Sequence, residues 1–427
     1  MRSLIRQIKR TYHLAGAAES KIVLANVASL SWLSAISYIL PMILLPYLFR
    51  ILGVEKFGLI AFASAFTQYF MILTDYGLSV TATKEISLHR HDSQRTSAIF
   101  SAVMTVKLLL ATLSFLILSA LVFTIPKFKH DWMVYLLSFG SVLGSTLFPI
   151  WFFQGTERMK YIANINIIAE ILLAFLILYL VKTPQDFILV PALTSMVFLF
   201  SGICGLYITL NHFKIRFQVL KLHQLHAQLK AGWDLFTSII AINMYTTTRV
   251  FAIGLLTNNT LTGYYSMAEK IASLVQAFPL SSFSQAIFPR MNKIFSKNKR
   301  LAFETMVQVQ EITMKIALIT IPSFFLATPY LVHLICGGDF PEIILTLRLL
   351  LISIFFISAN AFRVQFLLVC GKTQTYANIH IIMALLGLPL ILILISGFSY
   401  VGAAIATIII EAGICCLTLL RIRQLRF

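Results

Sequence analysis

The sequence predicts an all-α polytopic membrane protein with about twelve transmembrane helices in two six-helix lobes. Three observations carry this expectation. Of the 427 residues, 59% are hydrophobic and only 12% charged, about half the charged share of a soluble domain, and the mean hydropathy is +0.87. Windows of 18 or more mostly apolar residues recur along the whole chain, each enough to cross ~30 Å of hydrocarbon at ~1.5 Å per residue. The longest polar connection, 211–232, divides these windows six and six.

In chain order, residues 1–21 form a basic, weakly amphipathic segment expected in the cytoplasm (Arg2, Arg6, Lys9, Arg10, Lys21). No small-residue cleavage site follows a short apolar core, so the first span reads as a permanent anchor. The N-lobe, 22–210, holds spans at 22–48, 57–78, 97–125, 132–153, 161–181 and 186–210. Pro41 and Pro46 interrupt the first of these behind Ser31, Ser34 and Ser37, a pattern that kinks a membrane helix and suits either a gate or a static bend. After the cytoplasmic linker 211–232 comes the C-lobe, 233–420. Its spans are 233–257, 262–289, 309–336, 341–368, 375–396 and 399–420, with a cytoplasmic tail at 421–427.

The gaps between spans set the orientation. One side, with both termini, holds 23 Lys and Arg, whereas the other holds five: Arg50, Lys56, Lys127, Lys129 and Lys182. That bias places both termini in the cytoplasm. It also accounts for most of the formal charge of +18 without a nucleic-acid partner, which would need the basic residues gathered on a soluble surface. The halves echo one another. Ala163-Asn164-Ile165-Asn166-Ile167-Ile168 in span five nearly matches Ala377-Asn378-Ile379-His380-Ile381-Ile382 in span eleven, each following a Gly (Gly155, Gly371) and close to a Tyr (Tyr161, Tyr376). Six spans per half preserve orientation, so the pseudo-twofold runs along the membrane normal and the lobes flank a central cleft.

Six basic residues remain inside the spans: Lys107, Arg249, Lys270, Lys315, Arg348 and Arg363. Each costs about 2.5–3.5 kcal/mol near the bilayer centre, roughly 15–20 together, so a shared wet interior that binds an anion is the expected arrangement. Arg249 stands out because it ends the polar run Tyr245-Thr246-Thr247-Thr248. The blander readings are local. Lys315 lies four residues after Glu311 on one helix and can pair there; Lys270 adjoins Glu269, so the two face different ways; Lys107 and Arg348 can snorkel. The acids Asp75, Glu170, Glu269 and Glu411 are candidates for proton or sodium coupling, or simply balance nearby cations. Tyr264 and Tyr265 are candidates for stacking on sugars, against an interfacial aromatic belt.

Cofactor chemistry is not indicated. The five cysteines (Cys204, Cys336, Cys370, Cys415, Cys416) have no paired spacing, and His223 and His226 sit in a basic loop without further ligands. No metal or other cofactor is expected.

Several motifs then point to a family. Residues 49–58 run Phe49-Arg50-Ile51-Leu52-Gly53-Val54-Glu55-Lys56-Phe57-Gly58, followed by Asp75-Tyr76-Gly77 and Thr83-Lys84-Glu85-Ile86. Gln154-Gly155-x-Glu157-Arg158-Met159-Lys160-Tyr161 and Phe288-Pro289-Arg290 come later. The chain resembles the O-antigen (Wzx-type) polysaccharide repeat-unit flippases of the multidrug/oligosaccharidyl-lipid/polysaccharide (MOP) exporter superfamily. Lys84 departs from them, since many relatives carry Arg there. The resemblance implies a MATE/MurJ-like V-shaped cleft and a bacterial inner-membrane location. It also implies an undecaprenyl-pyrophosphate-linked oligosaccharide as cargo, moved from the cytoplasmic to the periplasmic leaflet. A polymerase and a chain-length regulator of the same pathway are the expected partners besides the lipid bilayer.

Two other classes compete. An ion-coupled drug exporter of the same superfamily would carry cargo that is often cationic, which a cleft lined by Arg and Lys repels. A membrane-integral glycan polymerase or ligase would need a sizeable outer loop for polar chemistry, and every expected outer gap is about four to seven residues long.

Overall fold

The computed structural model describes the backbone of residues 17–218 and 222–424, with side chains described from residue 40 except at 41, 222–224, 226, 234, 238, 277–290 and 293. Most of the basic segment 1–21, the His223/His226 pair and the Phe288-Pro289-Arg290 side chains therefore lie outside the described residues. The described residues form helices and no strand. In order these are α1 (Ala17–Asp75), α2 (Leu78–His89), α3 (Ser93–Thr124), α4 (Pro126–Lys129), α5 (Trp132–Leu147), α6 (Ile150–Gly155) and α7 (Met159–Leu180). There follow α8 (Leu189–Tyr207), α9 (Leu222–Thr246), α10 (Thr248–Leu256), α11 (Asn259–Phe295), α12 (Lys299–Cys336), α13 (Pro341–Val369) and α14 (Thr373–Arg423).

Among the described residues eight helical stretches are long and apolar enough to cross a membrane, or nine if the bent α9–α10 pair is one span. The expected twelve is not reproduced as a count: among the described residues α11, the expected eighth span, is not one of the qualifying stretches, and two pairs of expected spans run together as single helices. At 59 residues, α1 would be about 88 Å long if straight, far more than one crossing requires. Its backbone leaves helical dihedrals at Gly53 (φ 73°, ψ 167°), inside the gap expected between spans one and two. The 51-residue α14 breaks in the same manner at Ser399 (φ 55°, ψ −134°), where spans eleven and twelve were separated.

The chain packs as two compact units. Of the described residues, the first takes in those before Leu45, with Leu73–Val181 and Ile188–Trp233; the second takes in Leu45–Ile72, Lys182–Phe187 and those from Asp234 on. In the first unit a core of Leu78, Ile86, Phe100, Trp151, Phe152 and Phe153 joins α2, α3 and α6. There α5 and α8 meet almost backbone to backbone: a Cβ on Gly144 would stand 2.2 Å from the Phe198 carbonyl carbon, and one on Gly202 2.5 Å from Gly144 O. Such small-residue contacts replace the hydrophobic driving force that lipid removes. In the second unit the core runs through α11–α14, and the α1 segment after Gly53 abuts the start of α11. A Cβ on Gly58 would stand 1.8 Å from Asn259 O, and one on Gly263 2.2 Å from Val54 O.

The segment 211–232, read from sequence as a polar connection, is helical from Leu222. Ahead of that helix, the Arg216 and Gln218 amides donate to the Ser97 and Ser101 hydroxyls of α3 at 3.2 and 2.9 Å, which ties this stretch to the first unit.

The sequence echo has a backbone counterpart. At the end of α6, Thr156, Glu157 and Arg158 N–H groups donate to Phe152, Gln154 and Phe153 carbonyls at 3.0, 3.1 and 2.8 Å. At the end of α13, Cys370, Gly371 and Lys372 donate to Phe366, Leu368 and Leu367 at 2.9, 3.0 and 2.9 Å. The middle residue is left-handed in both, Glu157 at φ 57° and Gly371 at φ 70°. This is the Schellman type of helix end, placed identically before the two matching hexapeptides.

Candidate functional site

In the first unit, α1 ends at Asp75 and the chain reverses through two left-handed residues, Tyr76 (φ 48°) and Gly77 (φ 71°). Gly77 relieves the second of these, since it lacks the Cβ that opposes positive φ. The turn returns α2 so that the Ser79 hydroxyl donates to Asp75 Oδ1. Lys107, midway along α3 and only 3% exposed, reaches the same carboxylate oxygen at 2.9 Å and Ser79 Oγ at 3.2 Å. One residue read as a cargo-binding cation and one read as a coupling acid thus meet as an ion pair.

In the second unit, α9 gives way to α10 at Thr247 with a bend of 51°, and Arg249 sits just past the break. Its Nε donates to Thr246 O at 3.1 Å, a carbonyl at the broken end of α9. Its Nη1 donates to Thr407 Oγ1 of α14 at 2.9 Å, and its Nη2 lies 3.4 Å from Glu269 Oε1 of α11. The Glu411 carboxylate and the Tyr265 phenol act electrostatically on the same guanidinium. Beside it, Tyr69 OH and Thr248 Oγ1 are 2.6 Å apart, and Tyr245 OH lies 2.8 Å from His380 Nδ1. Arg249, on α10, is therefore a cross-link to three other helices, α9, α11 and α14. The polar stripe that singled it out from sequence lends it one backbone carbonyl, that of Thr246; its side-chain partners, Thr407 and Glu269, lie on other helices.

The remaining cations separate cleanly. Lys315 lies 2.7 Å from Glu311, both side chains exposed, the local pair expected from the four-residue spacing. Lys270 is exposed, and no carboxylate among the described residues lies within ion-pair reach of it. Arg363 donates from Nη1 to Ala359 O at 2.7 Å and to Cys415 Sγ at 3.8 Å. Arg348 lies over the Phe325 ring at 5.1 Å, and its Nε is buried without a hydrogen-bond partner among the described residues. So Lys107, Arg249 and Lys315 are balanced by acids. Lys270, Arg348 and Arg363, all in the second unit, have no carboxylate partner among the described residues. Chemically these are one ammonium and two planar forks, each able to hold an oxyanion. Arg348 and Arg363, on the one helix α13, stand ~22 Å apart along it at ~1.5 Å per residue, so a single anion would meet them in turn and not together.

Of the other expected site residues, Glu170 is half-buried on α7. Tyr264 is half-buried, its ring 6.3 Å from those of Tyr400 and Phe340. Tyr265 is fully buried, which corrects its reading as a sugar-stacking group: the ring has no free face, because the core of the second unit encloses it. No group of three or more metal-ligating side chains occurs among the described residues.

Sequence reasoning missed Arg50. Its guanidinium donates to the Leu334 carbonyl and, at 3.1 Å, to that of Ile335, capping the C-terminus of α12 where Gly337 turns left-handed at φ 76°. A cation on the last carbonyls of a helix complements its dipole. The Gly337-Gly338 pair ending a long apolar run was the available signal for a cap, but nothing in the sequence named its donor. Other motif residues are also architectural. Thr83 Oγ1 lies 3.4 Å from Gln154 Oε1, and nearby Glu157 pairs with Arg90 at 2.9 Å, so the motif stretches 83–86 and 154–161 close on each other.

Residues 23–295 match the family described as polysaccharide biosynthesis protein. An Escherichia coli (strain K12) protein provisionally named an O-antigen transporter is 28% identical over 404 residues, covering 93% of this chain and 96% of its own. A Haloferax volcanii protein provisionally named a low-salt glycan biosynthesis flippase is 24% identical over 370 residues, covering 84% and 74%. Among solved structures, the lipid II flippase MurJ in an inward closed conformation superposes with a TM-score of 0.71 at 14% identity, over 92% of this chain and 87% of that one. An inward-facing multidrug resistance transporter of the MATE family superposes with a TM-score of 0.68 at 15% identity, over 92% and 98%. At such identities the superpositions establish the fold, which is that of the MOP superfamily transporters.

Proposed function

The chain belongs to the polysaccharide biosynthesis protein family, and from that premise we propose that it is a Wzx-type flippase, a transporter and not an enzyme, that carries lipid-linked polysaccharide repeat units across the membrane. The cargo in this reading is an undecaprenyl-pyrophosphate-linked oligosaccharide, moved from the cytoplasmic to the periplasmic leaflet of a bacterial inner membrane by alternating access. Both termini are cytoplasmic, as the 23-to-5 distribution of Lys and Arg favours. A polymerase and a chain-length regulator would receive the flipped unit.

The observation that carries the reading is the trio Lys270, Arg348 and Arg363, basic groups in apolar helices with no acid to neutralise them among the described residues. A charge that stays uncompensated at membrane depth is a functional group by default. A pyrophosphate with two to three negative charges would compensate it, whereas a cationic drug would not. The sugars are too polar to cross hydrocarbon unaided, and the polyprenyl tail has no need to leave it. Alternating access needs only that each opened state hold the head group with a modest difference in affinity.

The test is genetic and chemical together. A strain lacking the gene should lose the surface glycan and accumulate the lipid-linked unit on the inner leaflet; normal glycan in that strain would overturn the proposal. Complementation with Arg363→Gln or Arg348→Gln should lower glycan export at unchanged protein level. A drug-susceptibility change with normal glycan would favour the exporter reading instead.

A further inference from the structure

We propose that the cytoplasmic end of α14 holds a binding site for an anionic phospholipid, distinct from the cargo-binding cations. The two halves of this helix, on either side of the break at Ser399, enclose a cavity of about 200 Å³ lined by Thr375, Asn378, Ile379, Ile382, Leu417 and Arg421. The lining is graded along the helix. Arg421 and Thr375 lie at the helix ends, where the chain leaves the apolar run, and Asn378 is one turn inward on the same half. Ile379, Ile382 and Leu417 lie about one to two turns deeper, at ~1.5 Å per residue.

A guanidinium, a hydroxyl and an amide at head-group level above an aliphatic floor match a phosphate that carries acyl chains. A soluble anion would leave the floor unused. Beyond the cavity the same face is open: Ile382, Leu385 and Leu386 are 43%, 66% and 63% exposed, one helical turn apart, giving an acyl chain a surface to follow. The charge setting agrees. Lys372 stands at the start of α14 and Arg421 in its last turn, the kind of basic setting between helices that captures acidic head groups. Arg421 is exposed, and among the described residues its one hydrogen bond runs from Nη1 to Gln424 Oε1, at 3.2 Å, which leaves its other donors for a ligand. Nothing in the transport reading uses these residues.

The experiment is native mass spectrometry of the purified full chain with added phosphatidylglycerol or phosphatidylcholine. We expect phosphatidylglycerol to be retained in preference, and Arg421→Gln to lower its occupancy about fivefold, the ratio for ~1 kcal/mol per basic side chain near a lipid surface. Arg423→Gln, outside the cavity lining, should leave occupancy unchanged. Equal retention of phosphatidylcholine would overturn the proposal, as would unchanged occupancy in Arg421→Gln or an equal loss in Arg423→Gln. Displacement by millimolar inorganic phosphate would make this a free-anion site. Tighter binding of undecaprenyl pyrophosphate, with glycan export lost in Arg421→Gln, would make it part of the cargo route.

Discussion

Removing Asp75 should harm this protein more than removing Lys107, although the two form one ion pair. Lys107 Nζ is 2.9 Å from Asp75 Oδ1, yet the environments differ: the lysine side chain is 4% exposed and the aspartate 35%. Asp75→Asn strands a cation in an apolar helix with only Ser79 Oγ, 3.2 Å away, and the neutral amide for company. An unpaired charge at membrane depth costs about 2.5–3.5 kcal/mol, so ~2–3 kcal/mol of stability should be lost. Lys107→Met leaves a carboxylate that is itself 35% exposed and still accepts from Ser79, while the methionine keeps the packing. Partial exposure screens that loss to about 1 kcal/mol. The double variant should recover most of the deficit, with a coupling of ~1–2 kcal/mol. Thermal unfolding of the purified chain in detergent, followed by tryptophan fluorescence, reads all three. The reasoning fails if Lys107→Met is the more damaging change or if the double variant shows only additive loss. Full stability in Asp75→Asn with transport abolished would return Asp75 to the list of coupling acids.

Three further outcomes are expected. Arg249→Ala should unfold about 2–4 kcal/mol more easily, because Glu269 and Glu411 lose their common counter-ion; Arg249→Ala with Glu269→Gln should recover part of it, and unchanged melting in the single variant would show the cross-link to be unimportant. Arg50→Ala removes two bonds to the last carbonyls of α12 and should cost about 1 kcal/mol at this exposed site, seen as faster hydrogen exchange around Gly337; an unaltered exchange pattern would refute the cap. Gly58→Ala places a Cβ 1.8 Å from Asn259 O and should cost about 1–3 kcal/mol through overpacking, whereas Gly397→Ala, with nothing within 4 Å, should be nearly silent in the same melting assay.

How much of this was legible depended on the range of the physics involved. Span lengths follow from bilayer thickness, and many helix ends fall within a few residues of those expected, whereas α9 and α12 begin at Leu222 and Lys299, ten or more residues before the expected 233 and 309. The Lys315–Glu311 pair was readable because four residues make one helical turn. Asp75 with Lys107, and Arg249 with Glu269 and Thr407, were visible only as separate polar groups. Their meeting depends on the left-handed turn at Tyr76-Gly77 and on the break at Thr247, and neither position is encoded in hydropathy. The helical start at Leu222 was available, since Leu222, Leu225 and Leu229 follow helical spacing, and the last two pack on the first core; the polarity of the intervening residues masked it. The family motifs carry folding instructions more than cargo chemistry, and the cations that suit the cargo lie outside them.

The contact between Gly144 and Gly202 sets a mechanical condition on the transport cycle. Two helices whose backbones touch have no side-chain layer to shear, so α5 and α8 cannot slide or roll past each other without separating. They must act as one strut, and force applied to either is delivered to both. Spin labels on the outer ends of this pair should keep a fixed separation through every state of the cycle, making it a natural ruler against which the moving helices can be measured.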